Sequence, residues 1–294
     1  MQERSLMIKN CSVSIVCANY NNGLFLDDFF KSILGSTYSP QEIIIVDDGS
    51  TDNSLEIIHY YENLFSNLKL IELKKNVGFA NALNIAVENV TCEYILRIDP
   101  DDILSSVRIE MQYNYLIEHN EIDVLGSNVC YFHSIDSLCD RKSNFPVEHK
   151  DILNRYLDGS HGLVHGGVMI KSFLMKDNVY RQCNVPAEEY DIFSRLLFKK
   201  YIAHNLPDAL TFVRVHDASV SDNMPFSTVK KTFDLRYEIW GVATNKLYVY
   251  KEFIARNLYR SALKKNNSFI FIYLSLVCIL KPVSFIKKVL SYVK

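Results

Sequence analysis

The chain has 294 residues, 48% of them hydrophobic and 22% charged, which is enough to bury a full core and too apolar for a mostly disordered protein. Its formal net charge of −2 gives no overall attraction to nucleic acid. The charge is uneven, however: from Lys246 to the end ten Lys or Arg face one acid, Glu252, a net of +9 against −11 for everything before, which suggests a basic surface turned toward something anionic.

In chain order, "SVSIVC" (Ser12–Cys17) reads as a short β-branched strand, followed by a helical stretch over Phe25–Ile33. "EIIIVD" (Glu42–Asp47) is a second strand, with a helix over Ser54–Asn63. "LKLIEL" (Leu68–Leu73) is third, with a helix over Phe79–Glu88, and "EYILRID" (Glu93–Asp99) is fourth, with a helix over Val107–Asn120. Short apolar strands alternating with helices predict β-α-β units on a mainly parallel, Rossmann-like sheet of an α/β protein. Continuous rather than alternating apolar strands place helices on both faces. The segment from Glu148 to Ser221 is more irregular, although "VPAEEYDIFSRLLFKKY" opens with Pro186 and two glutamates and carries Ile192, Leu196 and Leu197 on one side, as a helix would. After Phe233 the pattern turns helical, aromatic and basic.

The seven cysteines are odd in number and show no C-x-x-C spacing; several sit in apolar runs, which predicts reduced, buried thiols in a cytosolic protein. "MQERSLMIKNCSVSIV" has no apolar core leading to a small-residue cleavage site, so no signal peptide is expected. The longest apolar run, Phe269–Leu280, falls short of the ~20 residues a spanning helix needs.

Two acidic clusters each close a predicted strand: Asp47-Asp48 in "IIIVDDGSTDNS" and Asp99-Pro100-Asp101-Asp102. Ligands of a parallel sheet bind beyond the carboxyl ends of its strands, so both clusters belong on the ligand rim. Three carboxylates within four residues repel unless a cation or hydrogen-bond donors neutralise them, and hard oxygen ligands suit Mg²⁺ or Mn²⁺ completed by phosphate oxygens. The competing reading makes Asp101 or Asp102 the cap of the helix that follows. A calcium loop starting at Asp99 is excluded, because Leu104 stands where that loop needs glycine. For the first cluster, Gly49 and Asp52 also suit a plain turn and cap before Ser54.

Taken together, "VSIVCANYNN", "IIIVDDGSTDNS", "NVGFANALNIAV", "YILRIDPDD", "EEYDIFSRLL" and "VRVHDASVS" resemble, in order and spacing, the family 2 glycosyltransferases with the GT-A fold, over roughly Ser12–Ser221. The resemblance implies a nucleotide-sugar donor, with a UDP-sugar favoured, bound on the first-half rim by Tyr20, Asn21, Asp47, Asp48, Asn76 and Asp99. It implies a Mn²⁺ or Mg²⁺ ion on Asp101, with Asp99 and His216, and a helix carrying Arg108 and Gln112. The catalytic base falls at Glu189, where the family usually has Asp; Glu188 and Asp191 are its neighbouring substitutes, and His165 joins them on the acceptor side. The implied organisation is a transferase domain over 1–225, divided into a nucleotide half (1–130) and an acceptor half (131–225), with a helical basic extension over 226–294. The implied reaction is an inverting transfer to a hydroxyl of a glycan, on a lipid carrier in bacterial O-antigen or capsule synthesis. The implied location is cytoplasmic, peripheral on the inner face of the cytoplasmic membrane.

Departures from the family pattern are Ser106 for proline, Cys92 for glycine and Lys171 for arginine. In "LKPVSFIKKVLSYVK", Val283, Ile286 and Leu290 share one side, which fits a helix on anionic lipid or a closing helix packed on the core. Two other classes compete: a nucleotide-sugar-binding subunit without catalysis, and a nucleotidyltransferase. The second would need a basic loop after the first strand, and "CANYNNGLF" has no Lys or Arg.

Overall fold

The computed structural model describes residues 10–216 and 225–263, together with the single positions 275, 276, 278 and 279. The chain divides into two compact units, Met1–Arg214 and Val215–Lys294.

The first unit is built on a nine-stranded sheet among the described residues, ordered β3-β2-β1-β4-β8-β6-β9-β5, with β7 paired to β6. Its predicted half is β1 (Asn10–Asn19), β2 (Ser39–Asp47), β3 (Leu68–Glu72) and β4 (Tyr94–Arg97), all parallel. The intervening helices are α1 (Gly23–Leu34), α2 (Ser54–Glu62) and α3 (Phe79–Glu88). Val13, Ile15 and Cys17 of β1 and Ile43 and Ile45 of β2 share one core with Leu26, Phe29, Phe30 and Ile33 of α1. Their three- and four-residue spacing puts those α1 side chains on one face. The opposite sheet face holds the small residues Ala80, Ala82 and Ala86 of α3, so the strands are buried from both sides.

Past β4 the sheet becomes mixed. After β5 (Ile103–Leu104) and α4 (Arg108–Glu118) come β6 (Val124–Phe132), β7 (Arg141–Lys142), α5 (His149–Leu157), β8 (Met169–Lys171), α6 (Ser172–Asp177), α7 (Glu188–Phe198) and β9 (Ala203–Arg214). β8 runs antiparallel to both β4 and β6, and β6 runs parallel to β9. The carboxyl ends of β1, β2, β3, β4, β6 and β9 and the start of β8 therefore share one rim.

Neither β6 nor β9 shows a clear apolar run. Gly126-Ser127-Asn128 interrupts the first and Pro207-Asp208 the second, and the register between them shifts at Ser127 and Asn128. Mutual pairing, rather than local propensity, makes them strands. Helix α7 starts two residues after Pro186, whose bond to Val185 is cis.

One expectation is corrected. Cys130 and Cys139 form a disulfide with Cα atoms 5.0 Å apart, because the β6–β7 hairpin folds residue 139 back beside β6. Cys11, Cys17 and Cys92 are free and buried, as read from the sequence.

The second unit contains α8 (Phe226–Trp240) and α9 (Lys246–Leu263), joined through Gly241 in the left-handed conformation. Val229, Phe233 and Val249 pack with Phe253, and Arg236 and Arg256 lie over the Phe233 ring. No helix among the described residues is long and apolar enough to cross a membrane. The apolar run Phe269–Leu280 is described only at four positions, and the helix expected over residues 280–294, on lipid or packed on the core, lies outside the described residues.

Candidate active site

The two aspartates that close β2 do different jobs. Asp47 is buried and accepts hydrogen bonds from Asn19 Nδ2 (2.7 Å), the Ser50 amide (2.8 Å) and Ser50 Oγ (2.7 Å), which closes its own turn. Asp48, also buried, reaches across to the turn before α3 and accepts the amides of Val77 (2.7 Å) and Gly78 (3.0 Å). The two turns touch so closely that a Cβ on Gly49 would stand 2.9 Å from the Lys75 carbonyl carbon, and Gly49 has φ +76. Asp52 serves two helix starts, accepting the Gly23 amide at 2.8 Å and the Ser54 amide at 3.0 Å, so the capping half of the sequence reading belongs to Asp52. Tyr20 is 45% exposed beside these turns. Asn21, at φ 56, holds the Thr51 amide on Oδ1 at 2.7 Å, and Asn76 is exposed.

The second acidic turn follows β4 on the same rim. Asp99 pairs with the buried guanidinium of Arg97, which lies 5.4 Å from the Phe79 ring centre. Asp102 is buried and accepts the Arg214 amide at 2.9 Å. Burial first, then the charges of Asp101 and Asp99, push its carboxyl well above the ordinary carboxylate range. Neither Asp101 nor Asp102 caps α4, whose N-cap is Val107 without a side-chain hydrogen bond.

Behind this turn lies a buried clamp. Arg108 donates to the carbonyls of Gly166 (2.9 Å) and Arg97 (2.8 Å), and from Nε to Gln112 Oε1 (3.0 Å). Gln112 in turn donates to the carbonyls of Leu125 (3.0 Å) and Gly167 (2.9 Å). Thus β4, β6 and the short turn 165–167 are stitched together. Gly166 backs directly onto the acids: a Cβ there would stand 2.9 Å from Asp99 Oδ2 and 3.4 Å from Asp102 Oδ2.

The acceptor-side residues meet the acids through that same turn. The His165 amide donates to Glu189 Oε1 at 3.2 Å, and His161 Nδ1 lies 3.5 Å from the same oxygen. Glu189 and Asp99 therefore lie against adjacent residues, His165 and Gly166. Nothing among the described residues hydrogen-bonds the buried Oε2 of Glu188. Burial first, then Glu189 and Asp99, raise the Glu188 carboxyl to about 7 against a hydrogen bond from its own backbone amide and the pull of Arg97. The His165 ring is buried, 2.7 Å from the Tyr180 hydroxyl, and burial lowers its proton affinity well below the usual histidine value. Asp191 is fully buried and held by Arg181 and Arg195, which leaves it no face toward a ligand. His216 lies in the second unit, directly after β9.

Sequence reasoning passed over Arg97, His161, Tyr180 and Gln182. Gln182 Oε1 accepts the Ala80 and Asn81 amides (3.0 and 3.3 Å) and so caps α3, while Asn84 exchanges two hydrogen bonds with the Tyr180 backbone. Only Arg97 carried a signal, being a charge inside the apolar strand "YILRI".

Among the described residues no three His, Cys, Asp or Glu side chains form a ready cage for a metal ion. The acidic turn nevertheless fits a hard divalent cation. Its donors are all oxygen, it crowds three carboxylates, and Arg97 is the cation that pairs with one of them. Such an ion would take one or two carboxylates and complete its shell with diphosphate oxygens and water.

A parallel half-sheet with an acidic turn after its fourth strand, a mixed second half and all ligand-facing loops on one rim is the GT-A fold. Solved structures agree. A TarS fragment from S. aureus in complex with UDP superposes with TM-score 0.60 at 19% identity, covering 91% of this chain and 79% of that one. A Pyrobaculum calidifontis mannosyltransferase with GDP-Man and Mn²⁺ superposes with TM-score 0.59 at 15% identity, covering 93% and 74%. The glycosyl transferase family 2 profile matches residues 14–178. An uncharacterised Haemophilus influenzae glycosyltransferase is 31% identical over 245 residues, 76% of this chain and 73% of its own length. The Erwinia amylovora amylovoran biosynthesis glycosyltransferase AmsE is 27% identical over 225 residues, 76% and 83% of the two chains. The chain belongs to glycosyl transferase family 2, and it is a glycosyltransferase.

Proposed function

We propose that the protein is an inverting, metal-dependent transferase that moves a sugar from a nucleoside-diphosphate sugar, with UDP favoured, to a hydroxyl of a glycan acceptor on a lipid carrier. The process it serves is assembly of a bacterial surface polysaccharide, a reading supported by its likeness to AmsE. The observation that carries the chemistry is the placement of Asp99 and Glu189 against the adjacent residues Gly166 and His165.

In this reading Tyr20 stacks on the base, and Asn21 and Asn76 border it. Asp48 accepts from the base with the lone pairs that Val77 and Gly78 leave, while Asp47 shapes the turn. Asp101 and Asp99 would hold Mn²⁺ or Mg²⁺, which when bound would supply neutralising charge to the departing diphosphate. Glu189 accepts the acceptor's hydroxyl proton. The hydroxyl oxygen forms its bond to the anomeric carbon from the face opposite the diphosphate, and the electron pair of the breaking C–O bond leaves on the diphosphate. His161 and the His165 amide hold Glu189 in place for this. Residues 1–130 serve the donor and 131–225 the acceptor. The basic extension from residue 226 rests on the anionic inner face of the cytoplasmic membrane.

The test is nuclear magnetic resonance of the product formed from an α-linked UDP-sugar, with water or a lipid-linked glycan as acceptor. A β-configured product is expected. Glu189→Gln is expected to lower turnover by about 10²–10⁴-fold while leaving nucleotide affinity within twofold. An α-configured product would refute inversion, and unchanged turnover would take the proton-accepting role away from Glu189.

A further inference from the structure

Arg214 ends β9 and has no part in the chemistry above, yet it reaches the acidic turn with both its backbone amide and its side chain. The cause is register. β5 leaves the turn antiparallel to β9, with Ile103 opposite Phe212 and Leu104 opposite Thr211. Two residues further along, the same register sets Arg214 beside Asp101. There the Arg214 amide donates to Asp102 Oδ1 at 2.9 Å, its Nε donates to the Asp101 carbonyl at 2.9 Å, and an Nη donates to Asp28 Oδ2 of α1 at 2.8 Å. The guanidinium is sandwiched, its Cζ 5.1 Å from the Phe25 ring centre and 4.7 Å from that of Phe132. The side chain is 11% exposed. A planar fork with fixed donor directions joins a carbonyl, a carboxylate and two rings at once; an ammonium on a flexible stem does not.

We propose that Arg214 is a positioning residue for metal–diphosphate binding: by tying the Asp101 carbonyl to Asp28 on α1, it fixes the direction in which the Asp101 carboxylate is presented. The inference rests on the metal-dependent reading of the acidic turn. It adds an element that reading lacks, since neither Asp28 nor Arg214 is among the residues named there as ligands. Residues of this kind around metal ligands commonly change affinity by about 10–100-fold when replaced.

The experiment is calorimetric titration of the full chain with Mn²⁺ in the presence of UDP or GDP, whichever the wild type binds, alongside a thermal melt without ligand. Arg214→Lys keeps charge and stem. It is expected to weaken Mn²⁺–nucleotide binding at least tenfold while nucleotide binding without metal stays within twofold. Asp28→Ala removes only the outer anchor, and at least a threefold weakening is expected. It carries the test alone if the lysine variant fails to fold. Folded variants that bind Mn²⁺–nucleotide as the wild type does would overturn the inference and leave the metal-dependent reading standing. A wild type that binds nucleotide equally well with and without Mn²⁺ would overturn that reading, and this inference with it.

Discussion

The adjacent glutamates that open α7 sit in different surroundings. Glu189 is about a quarter exposed and already aligned by a backbone amide and His161, whereas Glu188 turns a buried oxygen toward Glu189, Asp99, Arg97 and Tyr180. Raising Glu188 from the ordinary 4.5 to about 7 means that the folded protein holds this proton more tightly than the unfolded chain does. Its contribution to stability is therefore fully present below pH 4.5 and is lost as pH rises through 7. The loss amounts to about 3 kcal/mol at most. Glu188→Gln is thus expected to match the wild type at pH 4 and to exceed it by about 2–3 kcal/mol at pH 8, read from urea melts across that range. Equal stabilities at pH 8 would contradict the burial of this carboxyl. The resemblance named Glu189 as base and Glu188 as its substitute, but the difference between them was not legible in the sequence. It arises from the turn at His165 and from β4, which are far from α7 along the chain.

At the scale of elements, the Arg108–Gln112 clamp does what no single strand can. Two polar side chains one helical turn apart on α4 satisfy carbonyls on β4, β6 and the 165–168 turn, all within the core. Arg108→Leu would remove the guanidinium donors to the carbonyls of Gly166 and Arg97 and is expected to cost about 3–5 kcal/mol, measured by denaturant unfolding. A cost under 1 kcal/mol would show that the clamp is dispensable. The turn glycines make a second element-scale case. Gly49→Ala combines a left-handed φ with a 2.9 Å clash, so it is expected to weaken nucleotide binding and stability together. The four β-α units of the first half were legible because each strand is a short, mostly apolar run with a helix of regular period behind it. The partner strands β6 and β9 were not, because each is broken by polar or turn-forming residues. Their strand character comes from the neighbour each supplies to the other.

For the molecule as a whole, the sequence's charge asymmetry and the two units point the same way. Met1–Arg214 holds the complete sheet, and the basic excess begins at Lys246 in the other unit. Residues 1–224 made alone are expected to melt in one cooperative transition by calorimetry and not to co-sediment with anionic vesicles, while the full chain does. Vesicle binding by both would move the membrane contact into the sheet unit. The most direct test of the central claim is thermal stabilisation by UDP, GDP, CDP and dTDP, each with and without Mn²⁺, on the wild type and Asp101→Asn. One nucleotide at about a hundred times its Kd is expected to add about 2.7 kcal/mol with metal, and little without it, with Asp101→Asn losing the difference. Equal stabilisation of both proteins with and without Mn²⁺ would contradict a metal–diphosphate site at Asp99–Asp102.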